Sequence, residues 1–195
     1  MIAELTTETR PPLSPTEERN LEAVAAVLEH WNTQDIEGIL SFYDDDIVWT
    51  NVAVEEVYDG KQEVREFLHR LVTAFPDLTF DVVQKFASGD DVSERWYIRG
   101  THLGPFMGIP PTGRYCEMAG ISMVRMRDGK FLSDWFMIDV MGSLRQMGIM
   151  PSMKATQSPL MRPALWAAVH KNVVAGVAGA GVVGTMAARR MRKRD

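Results

Sequence analysis

The chain has 195 residues, 46% of them apolar, which suits one domain with a real core plus extensions. Seven of the 21 basic residues but one of the 26 acidic ones lie from Arg162 onward, so the preceding part holds 14 basic and 25 acidic side chains. That acidic balance argues against nucleic acid as a partner, and the single Cys116 excludes an internal disulfide framework.

The four histidines, His30, His69, His102 and His170, are far apart, so no metal site is expected. Cys116 sits within a strand pattern and reads as a buried structural thiol. Residues 1–15 are polar and Pro-rich, with no basic start followed by an apolar run; a flexible arm without a secretory signal is expected.

A helix is predicted from Thr16, with Glu17 and Glu18 in its first turn and Leu21, Val24, Val27, Leu28 and Trp31 along one face. A second, Ile36 to Tyr43, follows the break at Asn32 to Asp35. Asp44 to Asp46 reads as a solvated turn, and Ile47 to Val52 as a strand. Asp59-Gly60 is a turn before an amphipathic helix from Lys61 to Phe75, stopped by Pro76. Strands follow at Leu78 to Phe86 and Val92 to His102, then a loop from Leu103 to Gly113.

The central feature is a hairpin. Met118 to Met126 and Phe131 to Val140 are alternating runs around Asp128-Gly129, a pair suited to a tight turn with positive φ at both central positions. Both faces of the hairpin carry apolar residues, so cover on both sides is expected. A short helix from Met141 to Met147 closes the domain. Helices gathered before an antiparallel sheet give an α+β fold, with a pocket on the concave side.

The run GTHLGPFMGIPPTGR from Gly100, followed by MVRMRDGKFLSDWFMIDVMGSLRQMG from Met123, resembles the SnoaL-like polyketide cyclase (ester cyclase) family of the NTF2-like superfamily. The resemblance spans roughly Thr16 to Gly148. It implies an NTF2-like, cone-shaped α+β barrel around one cavity, no cofactor, and a homodimer or homotetramer. It also implies acid/base chemistry by a histidine and a carboxylate on a small apolar carbonyl compound such as a polyketide. In such cyclases an aspartate of the last strand removes a proton next to a carbonyl, and the enolate closes a ring by aldol addition. Gly100, His102 and Gly104 match the loop of the family's histidine; Asp139 matches the second aspartate of the last strand. Gly142, Leu144, Arg145, Gln146 and Gly148 match the closing helix. The family's acid/base position corresponds here to Phe136, which cannot accept a proton.

Strand period makes Asp134 a substitute, on the same face as Phe136 and about 6–7 Å along. The candidate catalytic residues are therefore His102, Asp134 and Asp139. Each has a plainer alternative: backbone hydrogen bonding for His102, an outer-face salt bridge with Arg99 or Arg125 for Asp134, and capping of the closing helix for Asp139. Trp49, Trp96, Arg99, Phe106, Met118, Trp135 and Phe136 are the candidate substrate-binding residues, and Met107 joins the cavity lining if the chain is a binder. A second reading keeps the cavity without the chemistry and makes the chain a non-catalytic small-molecule binder.

After a linker at 151–163, residues 164–195 form a Gly-rich apolar stretch with a basic end, Arg189 to Arg194. The uncharged run Val173 to Ala188 is shorter than the roughly 20 residues that cross a bilayer. A helix lying on or inserting into an anionic membrane surface is expected, on an otherwise cytoplasmic protein. Gly179-x-Gly181-x-x-Gly184 lacks the strand and acidic residue of a dinucleotide site.

Overall fold

The computed structural model describes residues 12–151. The expectations for most of the N-terminal arm, the linker and the C-terminal stretch lie outside the described residues.

The elements in chain order are α1 (Pro15–Thr33), α2 (Ile36–Ser41), β1 (Tyr43–Asn51), β2 (Glu56–Asp59), α3 (Gly60–Ala74), β3 (Thr79–Ser88), β4 (Asp91–Thr101), β5 (Tyr115–Arg127), β6 (Lys130–Ile138) and α4 (Val140–Gln146). The helix start lies earlier than Thr16. Ser14 caps α1 in a reciprocal box: its hydroxyl accepts from the Glu17 N–H, and the Glu17 carboxylate accepts from the Ser14 N–H at 2.7 Å. Pro15, with no N–H to lose, takes the first helical position. Tyr43 opens β1 rather than closing the second helix, and the short strand β2 carries no alternation long enough to read. The three aspartates are not a free turn. They lie in β1, where Asp44 and Asp46 pair with Arg127 and Asp45 with Lys61.

The six strands form one sheet in the order β2-β1-β6-β5-β4-β3. All neighbours are antiparallel except β1 and β6, which run parallel. The β5–β6 hairpin turns as expected, with φ of 51° at Asp128 and 77° at Gly129. α1 packs against β3, α3 against β1 and α4 against β5. Val24, Val27 and Trp31 from α1, and Val64, Leu68 and Leu71 from α3, complete the core with the inward residues of the sheet. Cys116 is wholly buried in β5, and burial pushes its thiol up.

Register decides what faces the helices. Trp49, Asp134, Val124 and Val92 form one cross-strand row. Asn51, Phe136, Ser122 and Glu94 form the next, with Trp96 opposite Gly120 beyond. The other face of the hairpin departs from the expectation of cover on both sides. Ile121, Met123, Trp135 and Met137 are 48%, 60%, 41% and 42% exposed.

Candidate active site

The inward rows line a cavity of about 100 Å3. Its walls are aromatic: Trp31 and Trp49 lie almost parallel at 6.4 Å, Tyr43 tilts on Trp49 at 5.6 Å, and Phe136 meets Trp49 edge-on at 5.6 Å. Glu56 and Met107, both exposed, also line it, so the cavity reaches the surface beside β2 and the 103–113 loop. Met107 and Gly108 hold positive φ, 50° and 74°, in a tight turn that bridges Phe106 to Ile109 at this mouth.

Four buried polar atoms of the residues lining this apolar space have no protein partner among the described residues: Trp49 Nε1, Asn51 Oδ1, Glu94 Oε1 and Asp134 Oδ1. Buried polar groups are ordinarily paired, so four orphans in one cavity mark a place built for a polar ligand group. Asp134 as a whole residue is half-buried, but its Oδ1 is sealed. Burial pushes its carboxyl up to about 7, opposed by a hydrogen bond from Ser122. Ser122 in turn accepts the Trp96 indole N–H at 2.9 Å. Glu94, 8% exposed, is pushed up to about 8 by burial and by the Asp134 charge, against the pull of Lys85. Burial also holds Tyr43 far above the ordinary phenol range, reinforced by the Asp134 and Glu94 charges.

The residues predicted for the site divide. Trp49, Trp96, Phe106, Met107, Met118 and Phe136 line the cavity with Asp134. Trp135 does not: it neighbours Asp134 in an extended strand and so points to the opposite, exposed face. Arg99 is on the outer face for the same reason, since it alternates with the buried positions Trp96, Ile98 and Gly100 along β4. There it donates to Glu117 at 2.7 Å and lies 3.5 Å from Asp81. Asp139 lies past the end of β6 and caps α4, its Oδ1 accepting the Gly142 N–H at 2.8 Å.

His102 has the inward parity of β4 but lies eight positions beyond Glu94, roughly 25 Å of extended chain. Its ring is buried against Phe75 at 5.3 Å, its Nδ1 is 3.1 Å from the Thr112 hydroxyl, and it does not line the cavity. Burial moves it down, toward the neutral imidazole. Glu94 is the residue that sequence reasoning missed. The signal was present, since Val92, Glu94, Trp96 and Ile98 alternate inward along β4 and place an acid among apolar neighbours.

Comparison with known proteins agrees with this architecture. The family model for SnoaL-like polyketide cyclase matches residues 21–147. IdmH of Streptomyces antibioticus is 30% identical, with 66% of this chain and 98% of that chain covered and a TM-score of 0.59. AclR of Streptomyces galilaeus is 27% identical, with 69% and 99% covered and a TM-score of 0.62. A SnoaL-like protein of Jannaschia sp. CCS1, 21% identical, has a TM-score of 0.66 over 73% of this chain and 100% of its own. No curated protein matches the sequence. The curved sheet wrapped on a cavity is thus an NTF2-like α+β fold, and the chain belongs to the SnoaL-like polyketide cyclase family.

Proposed function

We propose that this chain catalyses cofactor-independent proton transfer next to a carbonyl of a small apolar compound, with Asp134 as the base. A polyketide undergoing aldol-type cyclisation, or a ketone undergoing isomerisation, is the substrate class. The observation that carries the reading is the Asp134 carboxyl in an aromatic cavity, its Oδ1 sealed from solvent and without a protein partner. Desolvation makes its carboxylate a stronger base than one in water, with an ionisation near neutral pH where proton transfer is most efficient. Family membership supports the reaction class, and IdmH is described as a polyketide cyclase. AclR is described as a hydroxylase, so the fold alone does not select the chemistry. A free volume of about 100 Å3 is below the roughly 300–1,000 Å3 of ordinary ligand pockets. The substrate therefore presents a small part of itself to the carboxylates.

The test is deuterium incorporation from heavy water into the benzylic carbon of phenylacetone, a neutral apolar carbon acid. Exchange by the wild type, lost in Asp134→Asn, is expected. Binding of the ketone with no exchange in either protein would instead favour the non-catalytic binder, the reading that Phe136 at the family's acid/base position supports.

A second copy of the chain is the proposed partner of the outer sheet face. Ile121 opposite Met137 and Met123 opposite Trp135 make a contiguous apolar patch, and such patches on a sheet face mark interaction surfaces. Contact of residues 164–195 with an anionic membrane surface stays a proposal supported by their composition. Among the described residues no helix is long and apolar enough to cross a membrane. Full-length protein that does not sediment with anionic vesicles overturns it.

A further inference from the structure

We infer that Glu94 is a second catalytic residue, which in its protonated form donates a hydrogen bond to the substrate carbonyl oxygen while Asp134 takes the neighbouring proton. The inference rests on the proton-transfer reading above and adds to it the group that stabilises the enolate.

An enolate needs positive charge or hydrogen-bond donors at its oxygen, and such donors are among the largest contributors to catalysis of this kind. Among the described residues the cavity lining contains no lysine, arginine or histidine, and its titratable residues are Tyr43, Glu56, Glu94 and Asp134. Glu56 lies at the mouth, where its carboxylate takes the Tyr58 hydroxyl. A neutral donor must therefore do the work, and Glu94 is placed for it. It faces Ser122 across β4 and β5, and Ser122 faces Phe136 across β5 and β6, with Asp134 two residues along the same face. Strand spacing and rise put the Glu94 and Asp134 Cα atoms about 12 Å apart. Both residues line the one cavity of about 100 Å3.

The hydrogen bonds decide which carboxyl is acid and which is base. Trp96 donates to the Ser122 oxygen, so the Ser122 proton is free to serve Asp134, and Asp134 is the carboxyl stabilised as an anion. Glu94 Oε1 has no donor, so its neutral form is the cheaper one to bury. The charged and titratable groups facing it are Asp134 on β6, Tyr43 on β1 and Lys85 on β3. The Asp134 charge favours the Glu94 proton, and Lys85 opposes it from a position where its Nζ donates to the Leu21 carbonyl at 3.0 Å. α1, α3 and α4 contribute no titratable side chain to the lining. Trp49 Nε1–H is a second unpaired donor in the same space.

The step balances without a co-reactant. The C–H bond breaks, its proton goes to Asp134, and its electron pair forms the enolate, whose oxygen is held by the Glu94 O–H. In a cyclisation the enolate carbon then bonds to a second carbonyl carbon, and the new alkoxide takes the proton from Asp134. Both carboxyls return to their starting state.

The experiment compares wild type, Glu94→Gln, Glu94→Ala and Asp134→Asn in phenylacetone exchange across pH. Wild-type exchange is expected to fall below about pH 7, as Asp134 gains its proton, and above about pH 8, as Glu94 loses its own. Glu94→Gln keeps an N–H donor and is expected to lose the alkaline fall while keeping the acid one. Glu94→Ala is expected to lose about 100-fold or more, the usual effect of removing an oxyanion donor. Exchange that disappears in Asp134→Asn but keeps its rate and alkaline limb in both Glu94 variants overturns the role of Glu94 alone. A wild type that does not exchange overturns the proton-transfer reading and this inference with it. Carbon NMR titration of the Glu94 carboxyl is independent of turnover: ionisation in the ordinary glutamate range, near 4.5, overturns the inference, and ionisation above neutral pH supports it.

Discussion

The Trp96 indole N–H meets the Ser122 hydroxyl oxygen at 2.9 Å, across the β4–β5 pairing and beneath the cavity. This bond joins a wall of the cavity to its base, because the serine that accepts from Trp96 donates to Asp134. Ser122→Ala removes both contacts and leaves a buried indole N–H unpaired. A loss of about 1–3 kcal/mol in stability is expected by urea denaturation. The acid limb of exchange should also move to higher pH, since the hydrogen bond that lowers Asp134 is gone. An unmoved acid limb would separate Ser122 from Asp134.

Gly120 lies opposite Trp96, and a Cβ there would come within 2.2 Å of the indole ring. Gly120→Ala therefore forces Trp96 off its position. The expected cost is about 1–3 kcal/mol from overpacking, with a changed near-UV circular dichroism signal. An alanine variant as stable as the wild type would show that the ring has room to move.

Asp134 and Glu94 both ionise at higher pH in the folded chain than in an unfolded one. The folded state then binds more protons than the unfolded state from about pH 4 up to about pH 7–8, so stability falls as pH rises through that window. The thermal midpoint is expected to be lower at pH 9 than at pH 6. Asp134→Asn and Glu94→Gln should each flatten this dependence and raise the midpoint at pH 9. A midpoint that rises with pH in the wild type would show that the two carboxyls are better solvated than their setting implies.

Trp135 and Met123, paired across β5 and β6, are 41% and 60% exposed on the outer face. If a second copy covers them, Trp135→Glu or Met123→Glu buries an unpaired charge in the interface and yields a monomer by light scattering. A wild type that is already monomeric at high micromolar concentration overturns the proposed partner.

Asp139→Ala tests the cap against the catalytic expectation for this residue. Loss of its bond to the Gly142 N–H should cost about 0.5–2 kcal/mol of stability. The midpoints of the exchange pH profile should stay where they are; a displaced midpoint would return Asp139 to the chemistry.

Much of this protein was legible from local pattern. Helical spacing located α1 and α3, Asp128-Gly129 located the hairpin, and period-two alternation put Asp134 and Phe136 on one face. The motifs around His102 and Asp139 carried the family. These features depend on residues close in sequence, where backbone geometry alone relates the side chains. Alternation within a strand also set Trp135 on the face opposite Asp134, Arg99 on the face opposite Ile98, and Glu94 on the face of Trp96 and Ile98. What pattern did not supply was which way each face looked and which strands lie side by side. Only the packed sheet, with β6 parallel to β1 and antiparallel to β5, brings Glu94, Ser122 and Asp134 onto one floor and leaves His102 at its far end. The physical reason is that desolvation, which turns two ordinary carboxyls into a candidate acid and base, comes from the aromatic side chains of α1, β1, β4 and β6 that close over them, and no single segment contains that environment.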